Sequence, residues 1–493
     1  MTVESALEAI KRKDFTAARA LIGSDYPSFT LQQFQIKGLA ELACHDWQAA
    51  RETFTIALDH FCTQSSFWLN RAIASENLGL IDEAIDGYEK CLALPPIPPE
   101  AYGNLSHLYR RRRRFGDAQA MAQLGLDKGL AKGDSLNALG LALWQEGKFE
   151  AAKAALEEAH QADSTNAHIL ANLANLACDQ LRFETAWPLF AQARALEDLP
   201  VIRRDEGMAH LLAGDYQRGW ELFESRLDLP KALRFLPPCP RWKGEPLEGK
   251  KILILAEQGF GDVIQFSRYQ TFLPSGDLIW AVPAPLIRLL SHVLRGTVLD
   301  ETGPLPACDF YTPLLSLPLL TDHVKPVAST LALKPSEIPL LPQGAGKRKI
   351  GLVWAGSRTH ERDHERSITL QALQPLLQEH RYDFYAVSTA DTSQEIGDRA
   401  MIRLDPLIGD FADTAALLRQ LDCLISVDTA VAHLAGTLGV KTFLLLPYCP
   451  DWRWGPSGET TPWYQSMTLL RQPVYGDWAS VIQKVVTLLE GCF

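Results

Sequence analysis

Three short stretches of the chain hold residues whose types and spacing could do chemistry. In Leu424-Ile425-Ser426-Val427-Asp428-Thr429-Ala430-Val431-Ala432-His433-Leu434-Ala435-Gly436, four apolar or small residues read as a buried strand. Asp428-Thr429 then offers capping oxygens where a helix of small residues begins. At the mouth of that helix the N–H groups of Thr429, Ala430 and Val431 meet the positive end of the macrodipole, an arrangement that holds phosphate. His433 lies one helical turn after Thr429 on the same face. An ordinary helix cap accounts for Asp-Thr at such a junction as well.

The second stretch is Glu257-Gln258-Gly259-Phe260-Gly261-Asp262. Gly259 and Gly261 let the backbone turn tightly and bring the Asp262 carboxylate to the start of a helix, either as a chemical group facing a cleft or as a cap. It is not a dinucleotide fingerprint, because Asp262-Val263-Ile264 follows with no third glycine, and this counts against an NAD-dependent enzyme. The third stretch, Trp354 to Ser367, is crowded with both signs of charge. After the Gly356 turn, either Arg366 or Arg358 could grip a diphosphate with its planar fork. His360 and His364 in the same loop read as solvated, with no partners of metal-ligand spacing, so no metal is expected.

These loops need elements to position them. At 493 residues the chain needs several cores, and 47% hydrophobic with 22% charged residues is globular. A net charge of −11 disfavours a nucleic-acid partner. Nine cysteines scattered singly, with no C-x-x-C pair, read mostly as reduced thiols. The first residues read as an amphipathic helix, not a signal peptide, and no stretch is apolar enough to span a bilayer, so a cytoplasmic protein is expected.

Alanine recurs at Ala18, Ala50, Ala84, Ala118, Ala152 and Ala186, and Gly219 continues the series. Three residues before each stands Phe15, Trp47, Ile81, Phe115, Phe149, Phe183 or Tyr216. The spacing and residue classes resemble the tetratricopeptide repeat, with Leu139-Gly140, Gly147, Phe149, Ala152 and Ala159 at the expected places in one unit and Trp68, Ala72, Ala84 and Tyr88 in another. About seven helix-turn-helix units over residues 1–232 are expected, stacking into a solenoid with a concave groove. The run Arg110 to Arg114 reads as a solvated helix end that passes into a loop.

Near residue 235 the grammar changes to short apolar runs punctuated by glycine and proline. Strands are expected at Lys251–Ala256, Asp277–Val282, Ile350–Trp354 and Tyr382–Ser388. Helices are expected at Val263–Phe272, near Leu370–Leu377, Ser393–Ala400 and Asp413–Leu421, and at the end over Trp478–Glu490. Such alternation predicts parallel, doubly wound sheets in two tandem Rossmann-like units, 240–345 and 346–493, with ligands outside the carboxyl ends of the strands. The tryptophans at 452, 454, 463 and 478, with Tyr464, read mainly as packing for the final segment, and Asp451 and Trp452 stand as minor site candidates.

Taken together, the Ala256–Phe266 stretch, the Trp354-Ala355-Gly356 loop ending Arg366-Ser367-Ile368, the Ser426–Gly436 stretch and Pro450-Asp451-Trp452-Arg453-Trp454 resemble the bacterial tetratricopeptide-repeat glycosyltransferases. The catalytic half of those proteins is similar to the heptosyltransferase-like (family 9 type) GT-B enzymes. The resemblance implies a GT-B fold with a shortened first unit and Asp262 as the general base that deprotonates the acceptor. It further implies a donor diphosphate site made by Gly259, Gly261, Gly356, Arg366, Asp428, Thr429, Ala430, Val431 and His433, with alanine at 430 where the family motif has glycine. The implied activity is metal-independent, inverting transfer of a sugar from a nucleotide-diphosphate sugar, with no cofactor. The implied acceptor is a protein or peptide presented by the repeat groove. A repeat scaffold whose α/β body only senses nucleotide sugar is the alternative.

Overall fold

The computed structural model describes residues 3–23, 26–129, 132–230, 232–328, 339–358, 360–397, 399 and 401–492. Two compact units divide the chain, Met1–Leu176 and Ala177–Phe493. The first unit is a helical solenoid of antiparallel pairs from Val3–Lys11 and Phe15–Ile22 to Lys132–Gln145 and Phe149–Ala162. The second contains further helices, Phe183–Leu196, Pro200–Ala213 and Tyr216–Phe223, and an α/β body of parallel sheets. The break in packing therefore falls before the change from helix to strand.

The repeat is built as its residues dictate. Each second helix begins on the bulky residue of the series, Phe15, Trp47, Ile81, Phe115, Phe149, Phe183 or Tyr216. The alanines at 18, 50, 84, 118, 152 and 186 are fully buried, because neighbouring helices approach too closely there for a larger side chain. Gly219 takes the last of these places: a Cβ on it would lie 2.7 Å from the Leu211 side chain and 2.9 Å from the Leu211 nitrogen. Two residues before every second helix the backbone turns through positive φ, at Lys13, His45, Gly79, Arg113, Gly147, Leu181 and Gly214. That resolves the arginine run, which leaves the helix Glu100–Arg111, turns at Arg113 and pairs Arg112 with Asp82 and Arg114 with Asp117.

In the α/β body, β1 (Lys251–Leu255), β2 (Asp277–Val282), β3 (Thr297–Asp300) and β4 (Phe310–Pro313) form a sheet of order β3-β2-β1-β4. A second sheet has order β10-β9-β8-β5-β6-β7, from β5 (Arg348–Val353), β6 (Tyr382–Ala386), β7 (Met401–Arg403), β8 (Cys423–Val427), β9 (Thr442–Leu446) and β10 (Met467–Arg471). All pairings are parallel, with Leu253 opposite Ile279, Leu352 opposite Ile425 and Val427 opposite Leu445. Strands β8 and β9 are buried along their whole length, as helices on both faces require.

Several boundaries differ from expectation for local reasons. The helix after β1 starts at Phe260 and ends at Phe266 before a tighter 3₁₀ turn, so Asp262 lies inside its first turn. The helix expected over Leu370–Leu377 is only Gln374–Leu377, because Pro375 favours a first helical turn. The helix expected to reach Ala400 stops at Ile396, where Gly397 turns at φ 56°, and Ala400 itself is outside the described residues. Strands β3, β4, β7, β9 and β10 were not anticipated. Strand β4 arises inside the proline-rich stretch because it is an edge strand of its sheet, where Pro313 and its missing N–H are tolerated. Eight of the cysteines are free thiols.

Candidate functional site

Strand order decides where the three stretches go. In each sheet the chain runs outward from one strand, to β3 from β1 and to β7 from β5. It then returns to the other side of that strand as β4 or β8. Such a switch point leaves a crevice at the carboxyl ends of the two diverging strands. The Glu257–Asp262 loop follows β1, the Trp354–Ser367 loop follows β5, and Asp428-Thr429 follows β8, so all three sit at switch points.

The first and last of them touch. Gly261 packs so closely on the helix Ala430–Thr437 that a Cβ on it would lie 2.8 Å from His433 Cδ2 and 3.5 Å from the Ala430 Cα. Thr429 caps that helix, its Oγ1 accepting from the Ala432 N–H at 3.4 Å and meeting the Ser426 hydroxyl at 3.2 Å. The first-turn N–H groups of Ala430 and Val431 have no intrahelical acceptor, as at any helix start.

Asp262 is part of a buried charge cluster and also a cap. Its Oδ2 accepts from the Gly259 N–H at 2.8 Å, while Oδ1 is paired with Arg453 Nη2. The Arg453 fork is fully engaged: Nη1 donates to Asp451 Oδ1 at 2.8 Å and Nε to Gln265 Oε1 at 2.8 Å. Burial raises the Asp262 carboxyl above its ordinary range, against the pull of Arg453 and the Gly259 N–H. Asp451 experiences burial too, but Arg453 beside it brings its carboxyl below the ordinary range.

Asp428 lies at the other end of the cluster, its Oδ2 accepting from Trp454 Nε1 at 2.9 Å. Burial, reinforced by the like charge of Asp451, pushes it up to about 6. His433 is stacked on Trp454 with ring centroids 5.2 Å apart, and its Nδ1 lies 2.9 Å from the Tyr464 hydroxyl. Burial and the charge of Arg453 push it down to about 3, so the imidazole is neutral at physiological pH. It can exchange a hydrogen bond with a ligand oxygen but carries no charge.

In the third loop, Gly356 makes room for Arg366: a Cβ there would lie 2.7 Å from Arg366 Nη2. Arg366 is mostly buried, with its Nε 3.6 Å from Asp363 Oδ1, and its charge acts on both Asp428 and His433. Arg358 is exposed. Of the two arginines offered by the sequence, Arg366 is therefore the one gathered into the cluster. His360 is exposed, and His364 Nε2 lies 3.8 Å from Glu365. Among the described residues no group of acidic, histidine and cysteine side chains could hold a metal ion.

Sequence reasoning assigned no role to Arg453 or Gln265, read Trp454 and Tyr464 as packing, and gave Asp451 only a minor place. The signal available was the dense Pro450–Trp454 run, whose aromatic residues split between two roles. Trp452 and Trp463 pack in the core, with Trp452 edge-on to Trp220 at 5.4 Å, whereas Trp454 lines the cluster.

Comparison with known proteins identifies the helical repeats. A tetratricopeptide-repeat family model matches residues 65–98 and 133–166. The chain carries tetratricopeptide repeats. Such repeats support a role as a protein-interaction scaffold. Over 86% of its length the chain is 26% identical to Protein FlbA of Caulobacter vibrioides, covering 84% of that protein. Among solved structures it is similar to a tetratricopeptide repeat protein from Parabacteroides merdae, with a TM-score of 0.43 and 14% identity over 47% of this chain and 93% of that one. It is also similar to the C-terminal part of a repeat protein from Cytophaga hutchinsonii, with a TM-score of 0.36 and 10% identity over 47% and 97%. No helix among the described residues is long and apolar enough to cross a membrane.

Proposed function

We propose that the chain is a GT-B-type glycosyltransferase that moves a sugar from a nucleotide-diphosphate donor to a protein or peptide engaged by the repeats. The observation that carries this reading is the contact of Gly261 with the mouth of the Ala430–Thr437 helix, which puts a buried aspartate beside a phosphate-type helix start. The donor diphosphate would lie against the N–H groups of Ala430 and Val431, with Arg366 and neutral His433 nearby. As the bond from the anomeric carbon to the diphosphate breaks, charge grows on the leaving oxygen, where these fixed donors stabilise it. Asp262 accepts the proton of the attacking acceptor group, and attack from the face opposite the leaving group inverts the anomeric carbon. Arg453 now occupies one oxygen of Asp262, so the base must share that cation with Asp451 until the acceptor arrives.

General base catalysis contributes about a hundred- to ten-thousandfold, so Asp262→Asn is expected to lose transfer by that order while still binding nucleotide. The check is a thermal-shift screen with UDP, GDP, ADP and CMP, since a ligand that binds the native state raises Tm, followed by donor hydrolysis and transfer assays. Full turnover by Asp262→Asn removes the base role. Nucleotide binding with no transfer or hydrolysis by the wild type, across a broad acceptor panel, leaves instead a repeat scaffold that senses nucleotide sugar.

A further inference from the structure

Two loops of the candidate site, those after β1 and β5, and the loop after β9 that carries Asp451 and Arg453 are tied to the helical segment that opens the second unit. Asp179, at the end of the helix Ala167–Asp179, accepts from both terminal nitrogens of Arg362, Nη1 to Oδ1 at 3.0 Å and Nη2 to Oδ2 at 2.9 Å, while Arg362 Nε and Nη2 also donate to Glu365 at 3.0 and 2.7 Å. Arg362 belongs to the loop after β5 and precedes the short turn of helix, Asp363–Arg366, that carries Arg366. The backbone carbonyl of Asp179 also accepts from the buried Cys449 thiol at 3.4 Å, in the loop after β9 that leads to Asp451 and Arg453. The third tie is Arg226, in the 3₁₀ turn Glu224–Asp228. Its Nε and Nη2 clasp Glu257 at 2.9 and 2.8 Å. Arg226 and Glu257 are almost wholly buried, and Glu257 also accepts from the Leu315 N–H at 2.9 Å. Glu257 begins the loop that carries Asp262.

We propose that Asp179 is a positioning residue, by which the last helices before the sheets set the geometry of the donor loop that carries Arg366. Planar two-pronged pairs fix orientation as well as distance, which a single contact on a loop cannot do. The segment around Asp179 then belongs to the site itself, and the repeat array does more than present an acceptor. This inference rests on the glycosyltransferase reading for its functional half only.

The test uses the full chain with Asp179→Ala, Asp179→Glu and Arg362→Lys. Hydrogen exchange of peptides covering 360–366 is expected to quicken about tenfold in Asp179→Ala, the equivalent of about 1.4 kcal/mol, while 423–437 keeps its protection. Arg362→Lys keeps a cation but loses the fork, so it is expected to loosen the same peptides to a smaller degree, and Asp179→Glu to restore protection in part. For whichever of UDP, GDP, ADP or CMP raises the wild-type Tm, Kd is expected to weaken about tenfold in Asp179→Ala, with recovery in Asp179→Glu. Wild-type exchange over 360–366 in Asp179→Ala and Arg362→Lys overturns the proposal, as does a loosened loop with unchanged Kd. If none of the four nucleotides binds the wild type, the glycosyltransferase reading fails, and the exchange result alone decides whether Asp179 holds the loop.

Discussion

Asp428→Asn is expected to stabilise the protein, and only above a certain pH. The carboxyl of Asp428 rises from an ordinary 3.8 to about 6 on folding, because it is buried and faces Asp451. Folding therefore favours its protonated form. Well below pH 3.8 both folded and unfolded chains hold the proton and the group makes no difference. As pH climbs, the unfolded chain releases its proton first, and the wild type loses stability until the folded carboxyl has also ionised near pH 6. At 1.36 kcal/mol per pH unit, the span from 3.8 to about 6 corresponds to about 3 kcal/mol at neutral pH. Asparagine keeps an oxygen for Trp454 Nε1 and carries no charge, so it removes this penalty. The measurement is thermal unfolding of both proteins at steps from pH 4 to pH 8. The variant should be closest to the wild type at the acid end and exceed it by on the order of 5 °C above pH 6.5. A variant that is less stable at neutral pH, or whose advantage does not change between pH 4 and pH 7, refutes the account of Asp428 as a buried carboxylate crowded by a second one.

Two other substitutions probe the packing. Gly261→Ala puts a methyl group 2.8 Å from His433 Cδ2. Although alanine favours helix by about 1 kcal/mol over glycine, overpacking of this kind costs about 1–3 kcal/mol. A lowered Tm with weakened nucleotide binding is expected, and a stabilised variant with full binding would show that the contact is looser than described. Leu181→Gly relieves a side chain held at φ 57° in a repeat turn. Since left-handed backbone costs a non-glycine residue about 1–2 kcal/mol, a gain of roughly 0.5–1 kcal/mol is expected in urea unfolding after glycine's own entropy is counted. No gain would mean that the turn is strained no more than an ordinary one.

How much could be read beforehand depended on sequence distance. The repeat was visible because its constraints are local: Ala84 must be small where two adjacent helices touch, and Ile81 must open the second of them three residues earlier. The candidate loops were visible because each follows a continuous apolar run, as a parallel strand buried on both faces must be. Helix lengths were less legible, since Pro375 and Gly397 end or delay helices by backbone geometry that the apolar pattern does not register. The partners of the loops were not legible at all. Arg453 reaches Asp262 across 191 residues of chain and Arg362 reaches Asp179 across 183. An arginine in a charged or aromatic run carries no mark of which distant carboxylate it will meet.

The sequence therefore determined the repeat period, the alternation of strand and helix, and the loops that are candidates for a site. Each of these depends on residues within a few turns of one another. The tertiary structure decided which of those stretches meet. Strand order placed the loops after β1, β5 and β8 at the two switch points, and close packing at Gly261 joined Asp262 to the helix mouth. Only in that setting do burial and neighbouring charge separate the roles, raising Asp428, keeping His433 neutral and binding Asp262 to Arg453. Those differences come from desolvation and from charges a few ångströms away in space, which a linear chain does not specify.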